Sequence, residues 1–279
     1  MAALGPPPNG INKLFDPWDS KTRSSHMREN VKAFVEIAAA AFQASGPVYE
    51  FGALRVAGQS DLANLRQFFP GKNYVGCDLR PGEGVDRVED LADLSLPDGC
   101  ARTIICVDTL EHVFEARRAV DEMIRVLAPG GLMLLAAPMD FRVHDYPSDY
   151  WRLTPSCMSR LLAPLEATVI GWQGVENHPH TVFGIAVKAP APSGFLRGTN
   201  RFIEGFQASL AHTTAQRGWP ERLKSLATRW TRGKGEWRRR RDHHSSHFVL
   251  NLPAINRQSA GNMLLEMASD ATGQRLDIS

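Results

Sequence analysis

The chain has little cysteine and no long apolar run, and each shortage excludes a class of protein. Its 279 residues include four cysteines, Cys77, Cys100, Cys106 and Cys157, with no CxxC spacing. That argues against a disulfide framework or a Cys-ligated zinc site, and for buried free thiols in a reducing compartment. No segment approaches the ~20 apolar residues of a membrane span. The opening Met1-Ala2-Ala3-Leu4-Gly5-Pro6-Pro7-Pro8 has neither a basic n-region nor an apolar core, so it does not read as a signal peptide and a cytoplasmic location is expected. No internal repeat is visible. A formal net charge of +2 points to no partner by itself, because the basic residues crowd into the C-terminal third. What remains is 43% hydrophobic and 22% charged, a globular composition able to bury a core of normal size in one large domain or one domain plus an appendage.

Residues 1–24, rich in Pro, Gly and Asn without periodicity, read as an extended arm. A helix capped near Ser24 or Ser25 should follow, because Val31, Phe34, Val35, Ala38 and Phe42 recur at helical spacing before Gly46-Pro47 stops the run. Strands are expected near 48–51, 73–78, 85–89, 102–107 and 132–137. Between the last two lies a helix with Ala119, Val120, Met123, Ile124 and Leu127 on its apolar face, closed by Pro129-Gly130-Gly131. Alternating βα units of this length predict an α/β, doubly wound and mostly parallel sheet covered on both faces. Thr154-Pro155 reads as an N-cap with proline in the first helical position. The runs 168–172 and 181–187 read as a hairpin.

The ordered pieces along this pattern carry a resemblance. Glu50-Phe51-Gly52 ends a first strand, and Gly76-Cys77-Asp78 ends a second. A glycine there allows close backbone approach to a ligand, and an acid ending the next strand can accept from two ribose hydroxyls. Val88-Glu89-Asp90-Leu91 ends a third, Leu96-Pro97-Asp98-Gly99 precedes a fourth, and Asp108-Thr109-Leu110-Glu111-His112-Val113 follows it. In this order the elements resemble the cofactor half of class I S-adenosylmethionine-dependent methyltransferases, type 11-like, over roughly residues 48–188. The resemblance implies a seven-stranded Rossmann-like sheet that binds S-adenosyl-L-methionine through Glu50, Gly52, Asp78, Asp90, Leu91 and Asp108. Relatives usually carry Glu-x-Gly-x-Gly-x-Gly, whereas Leu54 and Val56 stand here where glycines are expected, with Gly58 as a late substitute. That departure leaves two readings: an enzyme holding its cofactor in a modified way, or a catalytically silent methyltransferase-like module binding nucleic acid or a protein partner through its basic tail. A NAD-dependent oxidoreductase ranks below both, because Gly-x-Gly-x-x-Gly is missing after the first strand. Read without the resemblance, Glu50 can cap loop amides, Asp78 can simply end a strand, and Glu111 and His112 can be helix-start residues.

The loop after the fifth strand, Asp140 to Arg152, packs one imidazole, three carboxylates, two guanidinium groups and four aromatic rings into 13 positions. Methyl transfer requires the protein to orient an acceptor, exclude water and, for a hydroxyl, take a proton. His144 with Asp145 is the expected catalytic pair, and Tyr146, Asp149, Tyr150 and Arg152 the expected acceptor contacts, while Trp151 reads as a core anchor. The acceptor is expected to be a glycan or small molecule methylated on oxygen, with nitrogen the other outcome. His178, His180, His243, His244 and His247 show no convincing carboxylate or cysteine partner in sequence, so no metal is expected.

Ala189–Gly194 reads as a linker, and residues 191–279 as a basic extension. Arg217 to Arg241 holds ten Lys/Arg against two Glu, with Trp219, Trp230 and Trp237 interleaved. A solvated segment is the first reading of it, an anionic ligand the second and nucleic acid the third.

Overall fold

The computed structural model describes residues 21–55, 64–144, 148–215, 245–252 and 277–278. Helix α1 spans Lys21–Ala41, so Ser24 and Ser25 lie inside it rather than capping it. An interior serine costs less than about 0.7 kcal/mol relative to alanine, too little to set a helix boundary. Strands β1 (Val48–Phe51), β2 (Tyr74–Asp78), β3 (Arg87–Val88) and β4 (Ala101–Val107) follow. After α2 (Ala116–Val126) come β5 (Leu127–Pro138), α3 (Pro155–Leu162), β6 (Ala167–Val175) and β7 (His178–Val187). The described chain ends with α4 (Phe195–Ala215), β8 (Ser246–Asn251) and β9 (Asp277–Ile278).

All nine strands form one sheet in the order β3-β2-β1-β4-β5-β7-β6-β8-β9. The first five pair in parallel, with Glu50 opposite Gly76 on one side and Ile105 on the other. β7 then runs antiparallel between β5 and β6. β4 is buried at six of its seven positions, as a parallel strand covered on both faces must be. The sheet among the described residues has nine strands rather than the expected seven, because β8 and β9 extend it beyond β6. β8 pairs antiparallel with β6, Ile170 opposite Val249, which covers an edge that β6 would otherwise expose.

Two further boundaries differ from expectation. Leu127 does not close the face of α2; it turns extended (ψ 127°) and begins β5, with Pro129 two residues on. A proline disfavours helical backbone in the residue before it, and Lys188 Nζ caps the helix end by donating to Ile124 O and Leu127 O, both at 2.7 Å. β3 is shorter than expected at both ends; just beyond it the Glu89 amide still donates to Asp78 O at 2.9 Å, while its carboxylate accepts from the Ser95 amide at 2.9 Å and hydroxyl at 2.8 Å.

The two faces of the sheet bury separate cores. On one, Phe34 of α1 stacks on Phe183 of β7 at 4.8 Å, and Phe202 and Phe206 of α4 pack against both Phe34 or Phe183 and Phe248 of β8. Segments 195–215 and 246–251 of the expected extension therefore share a core with the parallel strands. On the other face α2 presents Ala119, Val120, Met123 and Val126 at helical spacing. Thr154 caps α3 as expected, accepting from the Cys157 amide at 3.1 Å. The four cysteines are unpaired, Cys77 and Cys106 buried in β2 and β4. No helix among the described residues is long and apolar enough to cross a membrane. Residues 21–24 of the expected 1–24 arm belong to α1 instead, while residues 1–20 and the Arg217–Arg241 basic run lie outside the described residues.

Candidate active site

The carboxyl ends of β1, β2, β4 and β5 lie side by side, the edge where open α/β sheets collect ligands. β1 leaves the sheet through Gly52, whose φ of +87° is glycine territory. The Gly52 and Ala53 amides donate to Cys77 O at 2.9 and 3.0 Å, tying this turn to β2. Thr109 Oγ1, after β4, sits 2.9 Å from Val107 O and 3.3 Å from Phe51 O, filling the space beside the glycine.

Asp78 ends β2 as expected. Its Oδ2 accepts from the Leu54 amide at 3.3 Å and its Oδ1 from the Arg80 amide at 3.1 Å. The carboxylate thus links the loops after β1 and β2, and it retains further acceptor sites, since each oxygen offers about two. The small residues absent from the first loop occur in the second. A Cβ on Gly82 would fall 2.4 Å from Leu54 Cδ1, and one on Gly84 (φ +89°) 2.5 Å from Ala53 O. Leu54 packs where a glycine in the first loop would have left space, and Gly82 accommodates it. Gly58 lies outside the described residues.

The other expected cofactor contacts divide. Glu50 is buried, its Oε2 accepting from Tyr74 Oη at 2.6 Å. Asp90 is exposed after β3 and caps the Ala92 amide at 2.9 Å. Leu91 turns its side chain into the core, which leaves only its backbone for a ligand. Asp108 stands half-buried at the end of β4 with φ +47° and donates its amide to Ala136 O at 2.9 Å.

Across the same edge lies a denser group. Glu111 and His112 sit on a 3-10 turn, Leu110–His112, and α2 starts only at Ala116, so they are not helix-start residues. Glu111 is 1% exposed, and neither carboxylate oxygen has a hydrogen-bond partner among the described residues. Burial, reinforced by the nearby Asp108 carboxylate, holds its carboxyl well above the usual range. His112 Nδ1 donates to Ser148 O, 2.6 Å away, and its Nε2 lies 3.8 Å from Glu111 Oε1. Burial lowers its pKa. His144 comes in from the loop after β5, its ring centroid 4.7 Å from that of His112.

Asp149, with a side chain 1% exposed, lies behind His144. It accepts from the His144 amide at 2.8 Å, approaches His144 Nδ1 at 2.9 Å and is clasped by both Nη groups of Arg152. Burial pushes its carboxyl up, but the Arg152 and His144 bonds outweigh that and hold it below the usual range. Arg152 also donates to Phe141 O and Arg142 O. Both residues therefore orient the loop and His144 rather than lining an open surface. Tyr150 is exposed, its amide donating to Glu111 O at 2.7 Å. Trp151 is no core anchor: it is 43% exposed, because its Nε1 donates to Val113 O at 3.0 Å and so lays the ring over that turn. With Phe114 these rings make an aromatic surface beside the cluster. Asp145 and Tyr146 lie outside the described residues.

Sequence reading missed two contacts here. His178 does have a carboxylate partner, Asp140 Oδ2 at 3.0 Å, because β7 runs antiparallel beside β5 and brings its first residue to that loop. The convergence of Glu111, His112 and His144 was also missed; its one signal was two histidines placed just after adjacent parallel strands.

A parallel sheet closed by an antiparallel β7 inserted between β5 and β6, with this loop edge, is a Rossmann-like α/β arrangement. Residues 57–135 match the family model described as a methyltransferase domain. A probable S-adenosylmethionine-dependent methyltransferase of Mycolicibacterium smegmatis is 34% identical over 65 residues, 23% of this chain and 23% of that protein. The match thus spans about a quarter of the curated relative's length. Among solved structures, a SAM-dependent methyltransferase from Archaeoglobus fulgidus is similar at TM-score 0.45 and 14% identity, over 58% of this chain and 94% of that one. A Burkholderia thailandensis 1,6-didemethyltoxoflavin-N1-methyltransferase is similar at TM-score 0.43 and 16% identity, over 60% and 81%.

Proposed function

We propose that the chain is an S-adenosylmethionine-dependent methyltransferase acting on a hydroxyl of a glycan or small molecule. One observation carries the reading: the Gly52 turn and the Asp78 carboxylate share a sheet edge with the Glu111–His112–His144 group, in a chain with a methyltransferase-domain match. Asp78 would hold the ribose hydroxyls of the cofactor, and Gly52 would let the backbone approach it. Asp90 and the Leu91 amide would meet the adenine, with Glu50 and Asp108 supporting the two loop ends. When bound, the cofactor supplies an electrophilic methyl group on a positively charged sulfur. The chain then has to orient the acceptor, exclude water and take a proton. His144, oriented by Asp149, is the base proposed for that proton, with Asp145 beside it in sequence. Tyr146 and Tyr150 would offer the acceptor a surface, and Arg152 would hold Asp149.

Calorimetric titration with S-adenosylmethionine and S-adenosylhomocysteine tests the cofactor half. Asp78→Ala should weaken both alike, by about 1.5–3 kcal/mol, the scale of a hydrogen bond to a charged group. Absence of binding to either ligand at millimolar concentration overturns the reading. That result would favour the silent module, for which the packing of Leu54 against Gly82 speaks.

A further inference from the structure

We infer that Glu111, His112 and His144 form a binding site for one divalent transition cation of the zinc class. Their ligand atoms all lie within 4.8 Å of one another. Two donors at about 2.0–2.2 Å on a tetrahedral ion stand about 3.3–3.6 Å apart, so a closing movement of roughly 1 Å separates the cluster from ligation.

The imidazole tautomers favour this. His112 Nδ1 faces a carbonyl oxygen, Ser148 O at 2.6 Å, which can only accept. The proton therefore sits on Nδ1 and the lone pair on Nε2, the nitrogen 3.8 Å from Glu111 Oε1. His144 Nδ1 faces the Asp149 carboxylate at 2.9 Å, which puts its lone pair on Nε2 as well. A ligand histidine almost always donates its other ring N–H to a carbonyl or carboxylate in this way. Asp149 is fixed in turn by Arg152, so the outer support is itself supported.

Glu111 supplies the independent observation. Its carboxylate is buried, and both oxygens lack a hydrogen-bond partner among the described residues. Burying such a group without compensation is costly. Arg152 acts on it only through space, because its donors are directed to Asp149 and to carbonyls. A bound cation would compensate it directly. Two imidazoles and one carboxylate suit zinc, iron or nickel better than magnesium or calcium, which prefer oxygen alone.

This inference rests on the acceptor-side reading above and replaces the bare imidazole base with a cation. His144 Nε2 then donates its lone pair to the ion, and a bound acceptor hydroxyl releases its proton to solvent more readily.

The test uses the full chain, stripped with chelator and dialysed against Co2+, Zn2+ or Mg2+, with metal analysis and the visible absorption of Co2+ as readouts. One Co2+ or Zn2+ per chain is expected, undisturbed by excess Mg2+. Asp149→Asn should weaken binding by the ~10–100-fold typical of outer-shell changes, and Glu111→Gln and His144→Asn by more. Should Glu111→Gln fail to fold by circular dichroism, His144→Asn, in a loop, carries the test. Substoichiometric binding, or unchanged binding in His144→Asn, overturns the inference. Titration with S-adenosylmethionine separates the two proposals: a chain that binds it but no cation loses only the cation site, and one that binds the cation alone loses the cofactor reading.

Discussion

A Cβ added to Gly52 would fall 2.0 Å from Thr109 Oγ1, so the turn closing β1 and the loop leaving β4 meet where no side chain fits. The positive φ adds to that overlap, since such backbone costs other residues roughly 1–3 kcal/mol. Gly52→Ala should therefore lower stability by at least that amount in urea denaturation. Thr109→Ala in the same background removes the Oγ1 and Cγ2 overlaps but keeps Cβ at 2.9 Å, so it should recover most of the steric part and leave the backbone part, a coupling that a double-mutant cycle resolves. A Gly52→Ala protein with an unshifted midpoint would mean that the two loops are not in firm contact.

Glu89 gives a pH dependence with a definite sign. Burial raises its carboxyl pKa, but the Ser95 amide and hydroxyl and the Arg87 guanidinium outweigh burial and hold it below the ordinary value of 4.5. A depressed pKa in the folded state means stability that is complete above the unfolded value and lost as pH falls through the folded one. Glu89→Gln should cost about 1.5–3 kcal/mol at neutral pH. It should also flatten the decline of stability below pH ~4.5, measured by denaturation at a series of pH values. An acid limb as steep as that of the unmodified chain would remove Glu89 from the account.

β1, β4 and β5 were legible because each holds an apolar run bounded by glycine, proline or aspartate. Val48–Phe51 was bounded correctly at both ends for that reason. What local pattern could not reveal came from neighbours distant in sequence. Leu127 looks helical by spacing, yet it pairs with Ala101 across the sheet. Trp151 looks like a core residue by type, yet a carbonyl of the preceding turn holds its indole at the surface. Glu111 looks like an ordinary helix-start acid, and only the meeting of two loops from adjacent parallel strands sets it beside His144. Residues 195–215 follow a linker-like Pro-rich stretch, so nothing local announced that Phe202 and Phe206 complete the main core.

Phe206 tests that last point. It is fully buried, stacked on Phe202 at 5.5 Å and set edge-on to Phe183 at 5.3 Å. Truncation of such a ring typically costs about 3–5 kcal/mol. If α4 belongs to the same cooperative unit as the parallel strands, Phe206→Ala should shift one single unfolding transition by that amount. Loss of α4 helicity in a separate early step, with the main transition unmoved, would make the helix an appendage.

The chemistry is tested at His144 and Asp149. Asp149 holds the imidazole through Nδ1 and the loop through the His144 amide, so the two residues should differ in what they remove. His144→Ala takes away the group proposed to meet the acceptor, and with a hydroxyl acceptor single-turnover methyl transfer should fall by about 10²–10⁴-fold. Asp149→Asn keeps the imidazole but loosens its orientation, so its loss should be smaller and should appear in the rate rather than in cofactor affinity. Neither variant should change the calorimetric affinity for S-adenosylmethionine, because β1 and β4 lie between β2, which ends in Asp78, and β5, whose loop carries both residues. With an amine acceptor already neutral at the working pH, the His144→Ala loss should shrink sharply, since no proton has to leave before attack. Near wild-type single-turnover rates for His144→Ala on a hydroxyl acceptor would reduce His144 to a structural residue, and Asp145 would be the next group to change.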